Sequence, residues 1–171
     1  AIHESGHAVV SWFLEGGAPL LKLTIIPRSK SLGFAQYLPN ESNLETKEEL
    51  LDRICCILGG RCAEELFLEK ITTGAYDDLS KAYATAHAIV TRFGMSEKIG
   101  YIGIPDEEYT KRYSDKTSEM IDDEVKRIID ECSERTRALV KQYKTQIENL
   151  SEALLDRETL DLYAIKEILG E

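Results

Sequence analysis

The chain opens with two histidines four residues apart, His3 and His7, in a segment that also contains Glu4. On an α-helix, residues four apart lie about one turn from each other on the same face, so both imidazoles can reach one metal ion. Glu4 is rotated by roughly 100° from His3 and can lean over an open coordination position. The pattern therefore predicts a helix that holds zinc through His3 and His7, with Glu4 as the general base of a metalloprotease site.

The residues around this motif favour a helix that is sheltered from bulk water. Apolar side chains dominate residues 8–14, and a Gly-Gly-Ala-Pro run from Gly16 to Pro19 supplies a stop signal. Gly6 lies inside the helix, where glycine costs about 1 kcal/mol relative to alanine. We expect its missing side chain to let another element approach closely.

Composition narrows the possible partners and compartments. The formal net charge of -10 makes a nucleic-acid partner improbable, because phosphates would be repelled. No apolar run approaches the roughly 20 residues that a membrane span needs. Cys55, Cys56, Cys62 and Cys132 form no CxxC pair, which favours core thiols in a reducing compartment over a disulfide framework.

The rest of the chain predicts a mainly α fold with a small β-hairpin or sheet near the first helix. Thr46 and Glu49 form a capping-box signature at the start of a long helix that continues to Phe67. A polar loop is predicted between Tyr101 and Ser114, and a turn over residues 29–33. The predicted elements after the first helix are strands over 21–28 and 34–38, and helices over 47–67, 77–93, 115–144, 146–155 and 161–169.

The predicted hairpin follows the zinc-bearing helix closely in sequence. Such a sheet could bind an extended peptide by strand addition, or it could serve only as a cover over the helix.

Zinc held by two histidines needs a third protein ligand, and the candidates are Asp77, Asp78, His87, Glu64 and Glu65. Asp78 continues the series 78, 82, 86, 89 and 93, which marks the core face of the predicted third helix, whereas Asp77 falls on its more polar side. The periodicity favours Asp78, although an aspartate at a helix start is also a common cap.

The other candidates have simpler explanations. A hydrogen-bonded core or surface role explains His87 better than a role as a zinc ligand does. Glu64 or Glu65 could orient a ligand histidine through a hydrogen bond, or could form an ion pair with Arg61.

Six segments, in this order along the chain, resemble the peptidase domain of the FtsH family of membrane-bound AAA proteases. They are His3-Glu4-Ser5-Gly6-His7-Ala8, Ile26-Pro27-Arg28, Leu32-Gly33-Phe34-Ala35-Gln36, Gly59-Gly60-Arg61-Cys62-Ala63-Glu64-Glu65, Thr72-Thr73-Gly74-Ala75-Tyr76-Asp77-Asp78-Leu79 and Phe93-Gly94-Met95-Ser96. Residues 19–22 and 36–39 resemble most the mitochondrial members that face the matrix.

The resemblance implies a site, a cofactor and partners. Zinc would be bound by His3, His7 and Asp78, with Glu4 as general base on the zinc-bound water. The family fold is mainly helical and hexameric, and an ATPase ring unfolds polypeptide substrates and threads them into the peptidase chamber. By this resemblance the parent protein would lie in the mitochondrial inner membrane, or in another organellar or bacterial membrane, and would use ATP.

The same resemblance suggests how the chain is organised. We expect residues 1–171 to form one zinc metallopeptidase domain, with a zinc-bearing core over 1–100 and a C-terminal helical part over 114–171. Walker motifs and membrane spans are not present in the sequence. The chain is therefore expected to be a piece of a longer protein, without its ATPase and transmembrane parts.

Two other functions fit the same residues. The chain could be a non-catalytic module whose acidic helices mediate ring assembly in an inactive relative, or a zinc peptidase that works without ATP. Zinc content separates the first from an enzyme, because a scaffold has no need of one equivalent of metal per chain.

Overall fold

A computed structural model describes residues 1–28, 32–39, 44–105 and 113–170. Within these ranges the chain forms six α-helices, three short strands and one 3₁₀ turn, Thr73–Ala75. In chain order they are α1 (Ile2–Phe13), β1 (Leu20–Thr24), β2 (Phe34–Tyr37), α2 (Lys47–Leu68), α3 (Tyr76–Thr91), α4 (Asp115–Gln142), α5 (Lys144–Arg157), β3 (Thr159–Asp161) and α6 (Leu162–Leu169).

The prediction of a mainly α fold with a small sheet is confirmed. The capping box at the start of α2 is also present, since Glu49 N–H donates to Thr46 Oγ1 and Thr46 N–H donates to the Glu49 carboxylate. The turn predicted at 29–33 and the loop predicted between Tyr101 and Ser114 lie partly outside the described residues. No helix of the described ranges combines the length and the apolar character that crossing a membrane requires.

Two predicted boundaries are wrong for identifiable reasons. β1 ends at Thr24 rather than at Arg28, because Thr24 Oγ1 accepts from Ile26 N–H and bends the backbone out of the strand. α3 ends at Thr91, so Phe93 leaves the predicted core series and is 46% exposed, whereas Ala82, Ala86 and Ile89 of that series are buried.

The hydrophobic core is built around α2, which contacts α1, α3 and α4, while α5 packs against α1. All five of these helices contribute to its largest fully buried apolar side chains, which include Val9, Ile54, Ile89, Ile128, Ile147, Leu150 and Leu154. Cys55, Cys62 and Cys132 lie in the same core. α2 is therefore the element on which the metal-binding candidates of α1 and α3 are both supported.

The closest helix packing in the core is the crossing of α1 and α2. A Cβ placed on Gly6 would lie 2.4 Å from the carbonyl oxygen of Gly59, and one on Gly59 would lie 2.7 Å from the carbonyl oxygen of Gly6. The two backbones are therefore in direct contact, as expected from Gly6. α2 continues through Gly59 and Gly60 as an unbroken helix.

The three strands form one antiparallel sheet in the order β2-β1-β3. Leu23 in the central strand pairs with Ala35 on one side and with Leu160 on the other. β3 was not predicted, because three residues are too few to show the alternation that identifies a strand. It brings the C-terminal part of the chain onto the sheet that follows α1.

A buried carboxylate ties the segment after α3 to α4. Glu124 is 1% exposed and accepts hydrogen bonds from Ser96 Oγ at 2.7 Å and from Arg127 Nε at 3.0 Å. The hydrogen bond from Arg127, with that from Ser96, outweighs burial and lowers the pKa of Glu124 from 4.5 to about 2.

Gly6→Ala should destabilise the chain, even though alanine is the better helix former by about 1 kcal/mol. The added Cβ must push α1 away from α2, which costs about 2 kcal/mol or more. Urea unfolding measures the change, with Gly103→Ala as the control, since a Cβ at Gly103 meets its nearest atom at 3.5 Å. Equal stability of the two variants would contradict the backbone contact.

Glu124→Gln should make the free energy of unfolding less dependent on pH in the acid range. Because the folded pKa is lowered, the ionised group stabilises fully above pH 4.5, and this stabilisation is lost as the pH falls from 4.5 to about 2. Unfolding free energies should differ between Glu124→Gln and the parent by about 2 to 3 kcal/mol at pH 7 and converge near pH 2. The control is Glu131→Gln, because Glu131 also pairs with Arg127 but is exposed. This variant should change the free energy of unfolding little.

Candidate metal centre

The first turns of α1 bring its two imidazoles together. His3 Nε2 and His7 Nε2 lie 3.0 Å apart, and the ring planes meet at 81° with their centroids 4.6 Å apart. Both rings are largely shielded from solvent, with 20% and 13% of the side chains exposed. Spacing by four residues on a helix therefore brings both Nε2 atoms close enough to bind the same metal ion.

Asp78, in the first turn of α3, points at the same place. Its Oδ2 lies 3.1 Å from His3 Nε2 and 3.1 Å from His7 Nε2. The N-cap of α3 is Ala75, so Asp78 lies inside the first turn and is not the cap that its position in sequence also allowed. Among the described residues, His3, His7 and Asp78 are the one group of at least three metal-ligating side chains with all donor atoms within 4.8 Å of one another.

The remaining nitrogen of each ring fixes its tautomer. His3 Nδ1 donates to Glu64 Oε1 at 2.9 Å, and His7 Nδ1 donates to the carbonyl oxygen of Cys56 at 2.9 Å. Carboxylate and carbonyl oxygens only accept hydrogen bonds, so both protons of the neutral rings lie on Nδ1. Each Nε2 then presents a lone pair to the other ring and to Asp78.

Three electron-rich atoms at such short separations need a cation between them. Ligand atoms around tetrahedral zinc at about 2.0 to 2.1 Å are separated by roughly 3.3 Å, close to the 3.0 to 3.1 Å found here. Two imidazoles and a carboxylate are also the donor types that zinc takes in catalytic sites. The residues present therefore fit a zinc ion.

The pKa shifts of Asp78 and His3 also show that this site favours positive charge. Burial raises the pKa of Asp78, but the hydrogen bonds and charges of His3 and His7 lower it by more, so it lies well below its ordinary value. Burial lowers the pKa of His3, but the hydrogen bond with Asp78 and the charges of Glu4, Asp78 and Glu64 raise it above 6.5. A proton can meet this demand when no metal is bound.

Glu64 connects the elements that carry the donor atoms. It is 5% exposed, and besides His3 Nδ1 it accepts from Thr72 N–H at 3.3 Å and from Thr72 Oγ1 at 3.1 Å. Thr72 in turn caps the 3₁₀ turn that leads into α3 and Asp78. One carboxylate on α2 thus holds both the ring of α1 and the segment that delivers Asp78.

The backbone of α2 at Gly60 packs directly against both imidazoles. A Cβ on Gly60 would lie 2.6 Å from His7 Nε2 and 2.7 Å from His3 Nε2. The rings therefore pack on bare backbone, and a side chain at this position would occupy the space of the donor atoms.

The other candidate ligands are not part of this group of donor atoms. Asp77 is exposed, Glu65 accepts from Arg137 Nε at 3.0 Å rather than pairing with Arg61, and His87 stacks on Tyr83 with the centroids 5.8 Å apart. Sequence reasoning missed Thr72, Gly60 and the Cys56 carbonyl. A threonine at a turn is a recognisable cap signal. A backbone carbonyl that accepts a hydrogen bond from a histidine ring leaves no trace in the sequence.

The donor atoms open onto a cleft of about 1420 Å³. Glu4 lines it next to His3 and His7, outside the group of donor atoms. Residues of and beside β2 also line it, including Phe34, Ala35, Tyr37 and Leu38. The site is thus accessible to a chain-like ligand along the sheet.

The comparison with protein families covers almost the whole chain, since the model of peptidase family M41 matches residues 1–168. The chain belongs to peptidase family M41. The resemblance to FtsH-family proteases is thereby confirmed, and the prediction of a metalloprotease is confirmed at the level of this family.

Individual relatives agree with this family. A relative from Mus musculus, the mitochondrial inner membrane m-AAA protease component AFG3L2, is 49% identical over 99% of this chain and 22% of its own length. The ATP-dependent zinc metalloprotease FTSH 10, mitochondrial, of Arabidopsis thaliana is 46% identical over 100% of the chain and 21% of its own length. The ATP-dependent zinc metalloprotease FtsH of Rhodothermus marinus is 45% identical over 99% of the chain and 26% of its own length.

Glu64→Gln should weaken zinc binding about 10- to 100-fold, because a neutral amide polarises the His3 ring less and holds Thr72 less well. Competition with a chromophoric chelator measures the affinity. Glu65→Gln, at the next position but paired with Arg137, is the matched control. If both variants bound zinc as tightly as the parent, Glu64 would have no part in the metal site.

Proposed function

We propose that this chain is the zinc-dependent endopeptidase part of an ATP-dependent, membrane-anchored protease that degrades unfolded or misassembled proteins. The convergence of His3 Nε2, His7 Nε2 and Asp78 Oδ2, in a cleft that Glu4 also lines, carries the proposal. Its support from outside the site is the similarity, over the whole chain, to relatives named as zinc metalloproteases.

His3, His7 and Asp78 would hold the zinc ion. When bound, zinc polarises the scissile carbonyl and makes water more acidic, which is the part of the chemistry that side chains alone supply poorly. Glu64 and the Cys56 carbonyl keep the Nδ1 protons in place, so both Nε2 lone pairs stay directed at the ion.

Glu4 would act as the general base. Its carboxylate takes a proton from the water that attacks the scissile carbonyl, and it then gives that proton to the leaving amine. Glu4 is free for this role because the described contacts of the two imidazoles and Asp78 use other groups.

The substrate would lie along β2. This strand is at the edge of the sheet, and Phe34 and Leu38 on it and next to it are 40% and 49% exposed. An extended peptide can add to such an edge through main-chain hydrogen bonds, which do not depend on sequence. That mode suits a protease for unfolded polypeptides, because it requires only an extended backbone.

The parent protein would supply what this chain lacks. Relatives about four to five times as long as this chain carry names that specify ATP dependence or the mitochondrial inner membrane. We infer a hexameric parent, of one or more kinds of subunit, whose ATPase part unfolds substrates and delivers them to this cleft. Its proposed location is the mitochondrial inner membrane, facing the matrix.

Glu4→Gln should lower turnover about 10²- to 10⁴-fold and leave one zinc per chain, because Glu4 moves protons but does not hold the ion. The measurements are hydrolysis of an unfolded protein by the assembled parent with ATP, and zinc content by elemental analysis. Asp77→Asn, an isosteric change at an exposed acid of the same cleft, is the control.

Two results would count against the proposal. Unchanged turnover in Glu4→Gln would show that another group is the base. Carefully prepared protein that contains no zinc, yet assembles into rings, would favour the scaffold function instead.

A further inference from the structure

The backbone at Gly33 lies directly against the carboxylate of Glu4. A Cβ placed on Gly33 would be 2.7 Å from Glu4 Cγ, 2.7 Å from Glu4 Oε1 and 2.9 Å from Glu4 Cδ. Such separations are well inside the van der Waals contact distance of about 3.5 to 4.0 Å. The Glu4 side chain can take its position only because residue 33 has no side chain.

Backbone conformation gives no other reason for glycine at this position. The left-handed glycines of the described chain are Gly94, Gly100 and Gly170, with φ of 60°, 81° and 91°, and Gly33 is not among them. An L-residue could therefore adopt the backbone of Gly33 without strain. The requirement comes from the space that Glu4 occupies.

We propose that Gly33 is a positioning residue for Glu4: its backbone closes one side of the space open to the carboxylate and so holds the base over the donor atoms. This inference rests on the proposed function, in which Glu4 is the base. Glu4 comes from α1 and Gly33 from the segment that enters β2. The stretch that we propose binds the substrate backbone therefore also sets the position of the base.

An added methyl group at residue 33 would move Glu4 rather than the fold. The three atoms that it would meet all belong to the Glu4 side chain, which is partly exposed and can rotate toward the cleft. This differs from Gly6, where an added Cβ would meet the backbone of α2. Gly33→Ala is thus expected to separate an effect on catalysis from an effect on folding.

The test uses the full-length protease that carries this chain, with a short fluorogenic peptide whose cleavage needs no unfolding. Gly33→Ala should lower kcat about 10- to 100-fold, because a displacement of about 1 Å at a reacting group costs on the order of 10²-fold. KM should stay within about twofold, as expected for an interaction made in the transition state. Zinc content and the thermal midpoint should match those of Gly103→Ala, the same chemical change at an exposed glycine.

Double variants show whether Gly33 acts through Glu4. Added to Glu4→Gln, Gly33→Ala should cause no further loss in single-turnover cleavage, since the base is already absent. Added to Glu4→Ala, which removes all three atoms that the methyl group would meet, it should likewise cause no further loss. A structural role of Gly33 would instead give the same factor in every background and a lower thermal midpoint.

The possible failures can be told apart. If Gly33→Ala and Gly103→Ala had the same kcat while Glu4→Gln was inactive, the positioning role of Gly33 would be wrong and the proposed function would stand. If Glu4→Gln were itself fully active, the proposed function would fall, and the inference with it.

Discussion

The contact between the backbones of α1 and α2 determines where every group of the site can lie. Gly6 and Gly59 let the two helices meet without intervening side chains, and Gly60 then lies under both imidazoles. At an ordinary helix separation of 8 to 10 Å, side chains from α2 would fill the space that the rings now use. Because the Cys56 carbonyl and Glu64 belong to the same helix, their hydrogen bonds to the rings also depend on this crossing.

Much of the candidate site could be predicted because its signals are local. Spacing by four residues predicted that His3 and His7 share a helix face, and the position of Asp78 on the core side of a helix start favoured it over Asp77. The capping box at Thr46 and Glu49 predicted the start of α2. Each of these patterns repeats over one or two turns of helix, where geometry follows directly from residue spacing.

The parts that could not be predicted depend on residues far apart in sequence. Glu64 reaches His3 across 61 positions, and β1 pairs with β3 across more than 130. Either Glu64 or Glu65 could have faced the ring, because adjacent residues on a helix differ by only about 100°. The sequence indicated a turn at Gly33 but not its contact with Glu4. The reason for glycine at this position is visible only in the folded structure, where the Glu4 side chain occupies the space of a Cβ.

The pairing of β1 with β3 has a consequence for the biogenesis of the protein. Thr24 Oγ1 donates to the carbonyl oxygen of Glu158 and contacts Thr159 Oγ1 at 2.8 Å, so the central strand is completed by residues made 134 and 135 positions later. During translation, α1 and its histidines emerge early, while the sheet beside them waits for β3. A ribosome-bound chain therefore cannot complete the sheet beside α1 until residues 159–161 have left the ribosome.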